Sequence, residues 1–194
     1  MDLITNLQTG VMENWHVWFL STAMVVAAVI DGVKLKVPNW LTFPLIISGW
    51  VFSAVSYSLN GDPWWHGLGW SLLGTLVGLA LLLPAYSIGG MGAGDVKLLM
   101  GCGAWVHATA TFYAFCVGSI VGGVMAIAMV WLSGTWSHHY RQFFTILSEI
   151  NTIRDPEKLS EIAAGRKNTM RKLPYGIPIT IGALFYFAWM GMLI

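Results

Sequence analysis

The 194-residue chain is 56% hydrophobic, only 10% charged, and has a mean hydropathy of +0.67. Soluble domains carry about 25% charged residues, so a soluble fold is excluded and an all-α polytopic membrane bundle is expected, as one membrane-embedded domain over 1–194. A net charge of +1 gives no reason to invoke nucleic acid.

The N-terminus does not read as a cleavable signal peptide, because it lacks a basic region and places Asp2 and Glu13 before the first apolar run. That run spans Trp15 to Ile30 and closes on Asp31. The second span is expected over Trp40 to Leu59 and the third over Trp65 to Ile88. The apolar stretch from Val96 to Leu132 is too long for one crossing and fits two, with a turn near Val106 to Thr111. A last span starts at about Tyr175, giving about six transmembrane helices. Trp15, Trp40, Trp64, Trp65, Trp131 and Trp136 fall near the span ends, as an aromatic belt requires.

Charge sets the orientation. Lys34 and Lys36 lie in the first loop and Lys97 just after the third. Arg141, Arg154, Lys158, Arg166, Lys167, Arg171 and Lys172 lie in the fifth, whereas the second and fourth hold no Lys or Arg. Loops one, three and five are therefore expected in the cytoplasm and both termini outside it.

The long fifth loop, 133–174, has its own pattern. Tyr140, Phe143, Phe144, Leu147 and Ile150 make an apolar stripe at helical spacing, which predicts a helix lying in the membrane interface. Asp155-Pro156 opens a second short helix that Gly165 stops. Substrate docking and a plain solvated connector are both open roles for it.

Two acids stand out. A carboxylate at the edge of hydrocarbon is costly, so it is a functional candidate by default. Asp31 ends the first span and Asp95 opens the fourth, inside GGMGAGD (Gly89 to Asp95), which puts both on the cytoplasmic side. Paired carboxylates suit peptide hydrolysis: one, ionised, draws a proton from water while the other, protonated, polarises the scissile carbonyl. Such a pair shares one proton.

Each acid also has a bland reading. Asp95 could cap the free N–H groups of the fourth span, and Asp31 could be an interfacial charge near Lys34. Gly89, Gly90, Gly92 and Gly94 offer backbone conformations closed to other residues and close approach to a neighbour.

Other chemistry finds little support. There is no HExxH, GxSxG or GxxxxGK[ST]. Cys102 and Cys116 form no CxxC pair or zinc pattern and read as small packing residues. His138 and His139 are adjacent and read as surface residues. Gly74/Gly78 and Gly118/Gly122 have the GxxxG spacing of close helix contacts.

Three segments carry a family likeness. GAGD (Gly92 to Asp95) followed by Val96-Lys97 resembles the GxGD signature of type IV prepilin peptidases, which presenilin and signal peptide peptidases also carry. DGVKLKVPN (Asp31 to Asn39) resembles their first motif, an Asp followed by a basic stretch and an aliphatic-Pro-Asn. Val37 stands where Ile is common. LPYGIPITIG (Leu173 to Gly182) resembles the segment opening their last span.

The resemblance implies that Asp31 and Asp95 are the catalytic pair of an aspartic endopeptidase. Gly92 and Gly94 would shape the Asp95 loop, and Pro38, Asn39, Lys97, Pro174, Tyr175 and Gly176 would line or shape the site. Lys34, Lys36 and Lys97 read first as topology determinants. No metal or other cofactor is implied. The implied partners are the bilayer of the bacterial inner membrane and a prepilin or pseudopilin with a basic leader and an apolar helix. The short start resembles the peptidase-only form of Flp/Tad pili, for which methyltransferase activity is not expected.

Three alternatives remain. A small transporter or channel would use the acids to bind cations or relay protons, and would show acidic or polar residues near mid-span, where the spans read as holding none. A non-catalytic scaffold of a pilus or secretion complex would use both acids as caps. A GxGD protease of broader specificity would clear signal peptides.

Overall fold

The computed structural model describes residues 14–87, 90–133 and 174–193, and the expected helices of the 133–174 loop, with Trp136, His138 and His139, lie outside the described residues. The described residues form an all-α bundle of apolar membrane helices: α1 (Trp15–Lys34), α2 (Asn39–Leu59), α3 (Trp64–Ser87), α4 (Ala93–Ser133) and α5 (Gly176–Trp189). The first four are long and apolar enough to cross a membrane. Large apolar side chains such as Val29, Val51, Ile120 and Leu132 face outward, as lipid rather than water demands. Trp15, Trp40, Trp64, Trp65 and Trp131 are all exposed near helix ends or turns.

α1 runs beyond the expected boundary at Ile30, so Asp31 sits in its last turn rather than after it. Lys34 in that turn complements the helix dipole. Leu35 ends the helix in the left-handed conformation, donating its N–H to the Asp31 carbonyl at 2.7 Å. Pro38, extended at φ −77°, cannot continue a helix backwards and so marks the start of α2.

α4 has 41 residues; as one rod it would reach about 60 Å, twice the hydrocarbon core. It is interrupted at His107, with φ 61° and ψ −175°, a conformation open to few residues besides glycine. The break falls inside the expected turn.

Contacts show that the arms on either side run in opposite directions. Gly74 of α3 lies against Gly103, and Gly78 against Leu99, so α3 and the first arm are antiparallel. Gly118 of the second arm meets Pro178, while Tyr113 stacks on Tyr186 at 5.6 Å, so the second arm and α5 are also antiparallel. α5 begins beside Asp31. The second arm therefore returns toward the end of the bundle where the first arm started.

The core lies where these arms meet α1 and α5, with Leu20, Met24, Leu98, Leu99 and Phe187 fully buried. Cys102 is buried and Cys116 half-buried, both as free thiols.

Candidate functional site: an acid pair at one end of the bundle

Asp31 is 3% exposed. Its Oδ2 accepts the Gly176 N–H, at the first residue of α5, at 2.8 Å. That approach requires glycine: a Cβ at 176 would stand 3.0 Å from the same oxygen and 3.1 Å from the Asp31 Cβ. Further along, Thr180 donates its hydroxyl to the Met24 carbonyl at 3.0 Å and fixes α5 against α1.

Asp95 is the third residue of α4 and is 6% exposed. Its Oδ2 accepts the Gly92 N–H at 3.1 Å. This is the back-reaching half of a capping box, so the capping role is present in another form than a side chain ahead of the helix. It occupies one oxygen only. Oδ1 is buried and has no protein hydrogen-bond partner. Leaving such an oxygen unmade costs about 1–3 kcal/mol, which calls for an explanation beyond helix capping. The Asp31 carboxyl lies within electrostatic reach of Asp95.

The expected site-shaping residues fall into two groups. Tyr175 lies within electrostatic reach of Asp95, and Gly176, next in the chain, bonds Asp31, so the residues entering α5 lie beside both acids. On the other side Gly94 packs on the loop between α1 and α2, where a Cβ would come within 2.8 Å of the Val37 carbonyl. Val37 is buried beneath it and Pro38 follows. Asn39 and Lys97 meet each other: Lys97 Nζ donates to Asn39 Oδ1 at 3.0 Å and stands 4.5 Å from the centre of the Phe43 ring. This pair ties α2 to α4 beside the acids. Among the described residues, positive φ occurs only at Leu35, Gly61, His107 and Gly191. Gly92 and Gly94 therefore serve by lacking bulk, not by unusual backbone angles, and Gly89 lies outside the described residues.

Hydroxyls do occur inside the helices, contrary to the expectation of spans without polar residues. Ser21, Ser53, Ser71, Thr75, Thr111 and Thr180 are all buried. A hydroxyl inside a helix can return its hydrogen bond to backbone, as most of these do, although Ser21 Oγ has no protein partner. Ser71 donates to the Ala104 carbonyl at 2.6 Å and Thr111 to the His107 carbonyl at 2.6 Å, which satisfies backbone oxygens near the helix break. Ser53 Oγ lies 3.2 Å from His107 Nε2. None of this polar set is a carboxylate. Among the described residues, no three His, Cys, Asp or Glu side chains gather as a metal site would need. The Gly176 N–H and the free Asp95 oxygen had no signal in the sequence beyond the motifs, since both depend on contacts between distant segments.

Comparison with known proteins decides the family. The type IV leader peptidase family matches residues 18–127, more than half of the chain and both acids. The chain belongs to the type IV leader peptidase family. A prepilin leader peptidase/N-methyltransferase from Aeromonas hydrophila is 30% identical over 127 residues, 62% of this chain and 40% of the relative. One from Neisseria gonorrhoeae is 29% identical over 144 residues, 66% of this chain and 48% of the relative. The chain thus matches less than half the length of these leader peptidase relatives. No solved structure matches.

Proposed function

We propose that this protein is an aspartic endopeptidase of the bacterial inner membrane that removes the basic leader from prepilin-like precursors at the cytoplasmic face. The observation that carries the reading is the buried Asp95 Oδ1, unpartnered and within electrostatic reach of Asp31. An oxygen so placed is available to a water or to a scissile carbonyl. The substrate class rests on family membership.

Chemistry follows from two carboxyls that hold one proton between them. The ionised member takes a proton from water as the water oxygen bonds to the carbonyl carbon. The protonated member gives its proton to the carbonyl oxygen, and a neutral tetrahedral diol results. Collapse moves a proton to the leaving nitrogen and breaks the C–N bond, releasing a carboxyl on the leader and a new amino terminus on the mature protein. The Gly176 and Gly92 N–H groups hold one oxygen of each acid, leaving the other oxygens to react. The proposal covers the peptidase step alone.

Six crossings fit this reading, with α4 contributing two through its break at His107 and the basic loops in the cytoplasm. The acids then meet water at the inner leaflet, which a site at mid-bilayer would lack. The test is to reconstitute the protein in vesicles with a precursor carrying a basic leader and an apolar run of about 20 residues. Cleavage at one bond between leader and apolar run, read by mass spectrometry, is expected. An intact precursor in the presence of folded protein contradicts the reading.

A further inference from the structure

A groove of about 330 Å³ starts beside the acid pair and follows the second arm of α4. Its walls include Leu82, Met91, Phe115, Gly122, Tyr175 and Pro178. They come from α3, the loop before α4, the returning arm and the start of α5. Along that arm the lining extends from Phe115 to Ala126, a rise of about 16 Å. None of the lining residues is charged.

Two features give this groove an occupant. The first is continuity with the acids. Tyr175 both lines the groove and lies within reach of Asp95, and Met91 precedes the glycine that bonds Asp95. A chain held at the carboxyls therefore has one neighbouring end directed into the groove. The second is the distribution of polarity in such a chain. The groove runs toward His107 and away from the lysine-bearing loops, so it descends along the apolar bundle. A basic leader finds no counter-charge there, while an apolar segment loses only contact with lipid.

We propose that this groove is the subsite that receives the apolar side chains just after the scissile bond, so that it sets which precursors are cut and where. The proposal rests on the peptidase reading above. Gly118, Gly122 and Gly123 thin the wall on the returning arm, between the side chains of Phe115, Ser119 and Ala126, so the segment can approach backbone there, as small-residue faces allow between membrane helices. The wall at Gly123 is also open. A Cβ there meets nothing within 4 Å, so a larger residue fits the fold and fills the groove.

That opening supplies the test. Gly123→Leu is compared with wild type and with Gly69→Leu, a control on α3 whose Cβ also meets nothing within 4 Å and which does not line the groove. Two precursors are used, identical except that bulky apolar residues after the scissile bond are replaced by alanine in one. The expected result is a loss in kcat/KM of at least ~10-fold by Gly123→Leu on the bulky precursor, carried by KM, with the alanine precursor and the Gly69→Leu control cut as by wild type. Equal cleavage of both precursors by Gly123→Leu, or equal loss on both, overturns the groove proposal while leaving the peptidase reading intact. Failure of wild type to cut either precursor overturns the peptidase reading and the groove with it. A second arm needs no turnover: in Asp95→Asn protein, Gly123→Cys is expected to form a disulfide with a cysteine placed in the precursor's apolar segment, but not with one in its leader. The reverse pattern, or none, overturns the proposal.

Discussion

Gly176 contributes to the site only through its backbone. Its N–H fixes Asp31 at 2.8 Å, and any side chain would press on the carboxyl that it holds. A hydrogen bond to a charged group contributes about 1.5–3 kcal/mol, which corresponds to roughly 10- to 100-fold in rate when lost from the transition state. Gly176→Val is therefore expected to slow cleavage by about that factor at unchanged protein level, measured as single-turnover cleavage in vesicles. Wild-type rates in this variant would show that the bond does not orient the acid. At this scale the sequence was informative about identity and silent about contact. Asp31 and Asp95 stood out because a carboxylate at the edge of hydrocarbon is costly. Which oxygen each N–H would hold could not be read, since Gly176 and Asp31 are 145 residues apart. Likewise Asp95 offered capping and catalysis as rival readings, and the geometry gives one oxygen to capping and leaves the other free.

At the scale of helices, close packing depends on glycine pairs that face each other across elements. The Gly74/Gly78 spacing was visible in the sequence, but its partners, Gly103 and Leu99, were not, because spacing within one helix does not name the surface it meets. Gly74→Leu would drive a side chain into the backbone at Gly103 and His107. Overpacking of this kind costs about 1–3 kcal/mol and often more. Thermal unfolding in detergent is expected to show a clear loss of stability for Gly74→Leu and none for Gly69→Leu on the same helix; equal midpoints would contradict the antiparallel α3–α4 contact. Hydropathy also misjudged an end. It stopped α1 at Ile30, whereas the backbone continues through Lys34. Helix ends follow hydrogen bonding and capping, which an apolar run does not report. The break in α4 was legible from length alone, because no single crossing accommodates the stretch, and it falls within the expected turn; which residue there takes the positive φ was not.

For the whole molecule, the fold explains how two acids from distant segments come to one end. α1 delivers Asp31 at its last turn, α4 delivers Asp95 at its first, and α5 begins against both. The reversal at His107 returns the second arm to that end, where it forms the far wall of the groove. Alternating loop charge anticipated this convergence, because an odd number of crossings between the acids would otherwise separate them. Reporter fusions after Lys36 and after Gly61 are expected to report opposite sides of the membrane, with the first in the cytoplasm. Both on one side would break the topology.

The central claim is that Asp31 and Asp95 act as one unit on one water. Single-turnover cleavage rates of Asp31→Asn, Asp95→Asn and the double variant, in vesicles and at matched protein level, test it most directly. Groups that act together lose nearly everything with the first substitution. Each single variant should therefore fall by about 10³-fold or more, with the double variant no slower than either. Wild-type cleavage by either single variant, or losses that multiply in the double, would contradict a shared catalytic pair.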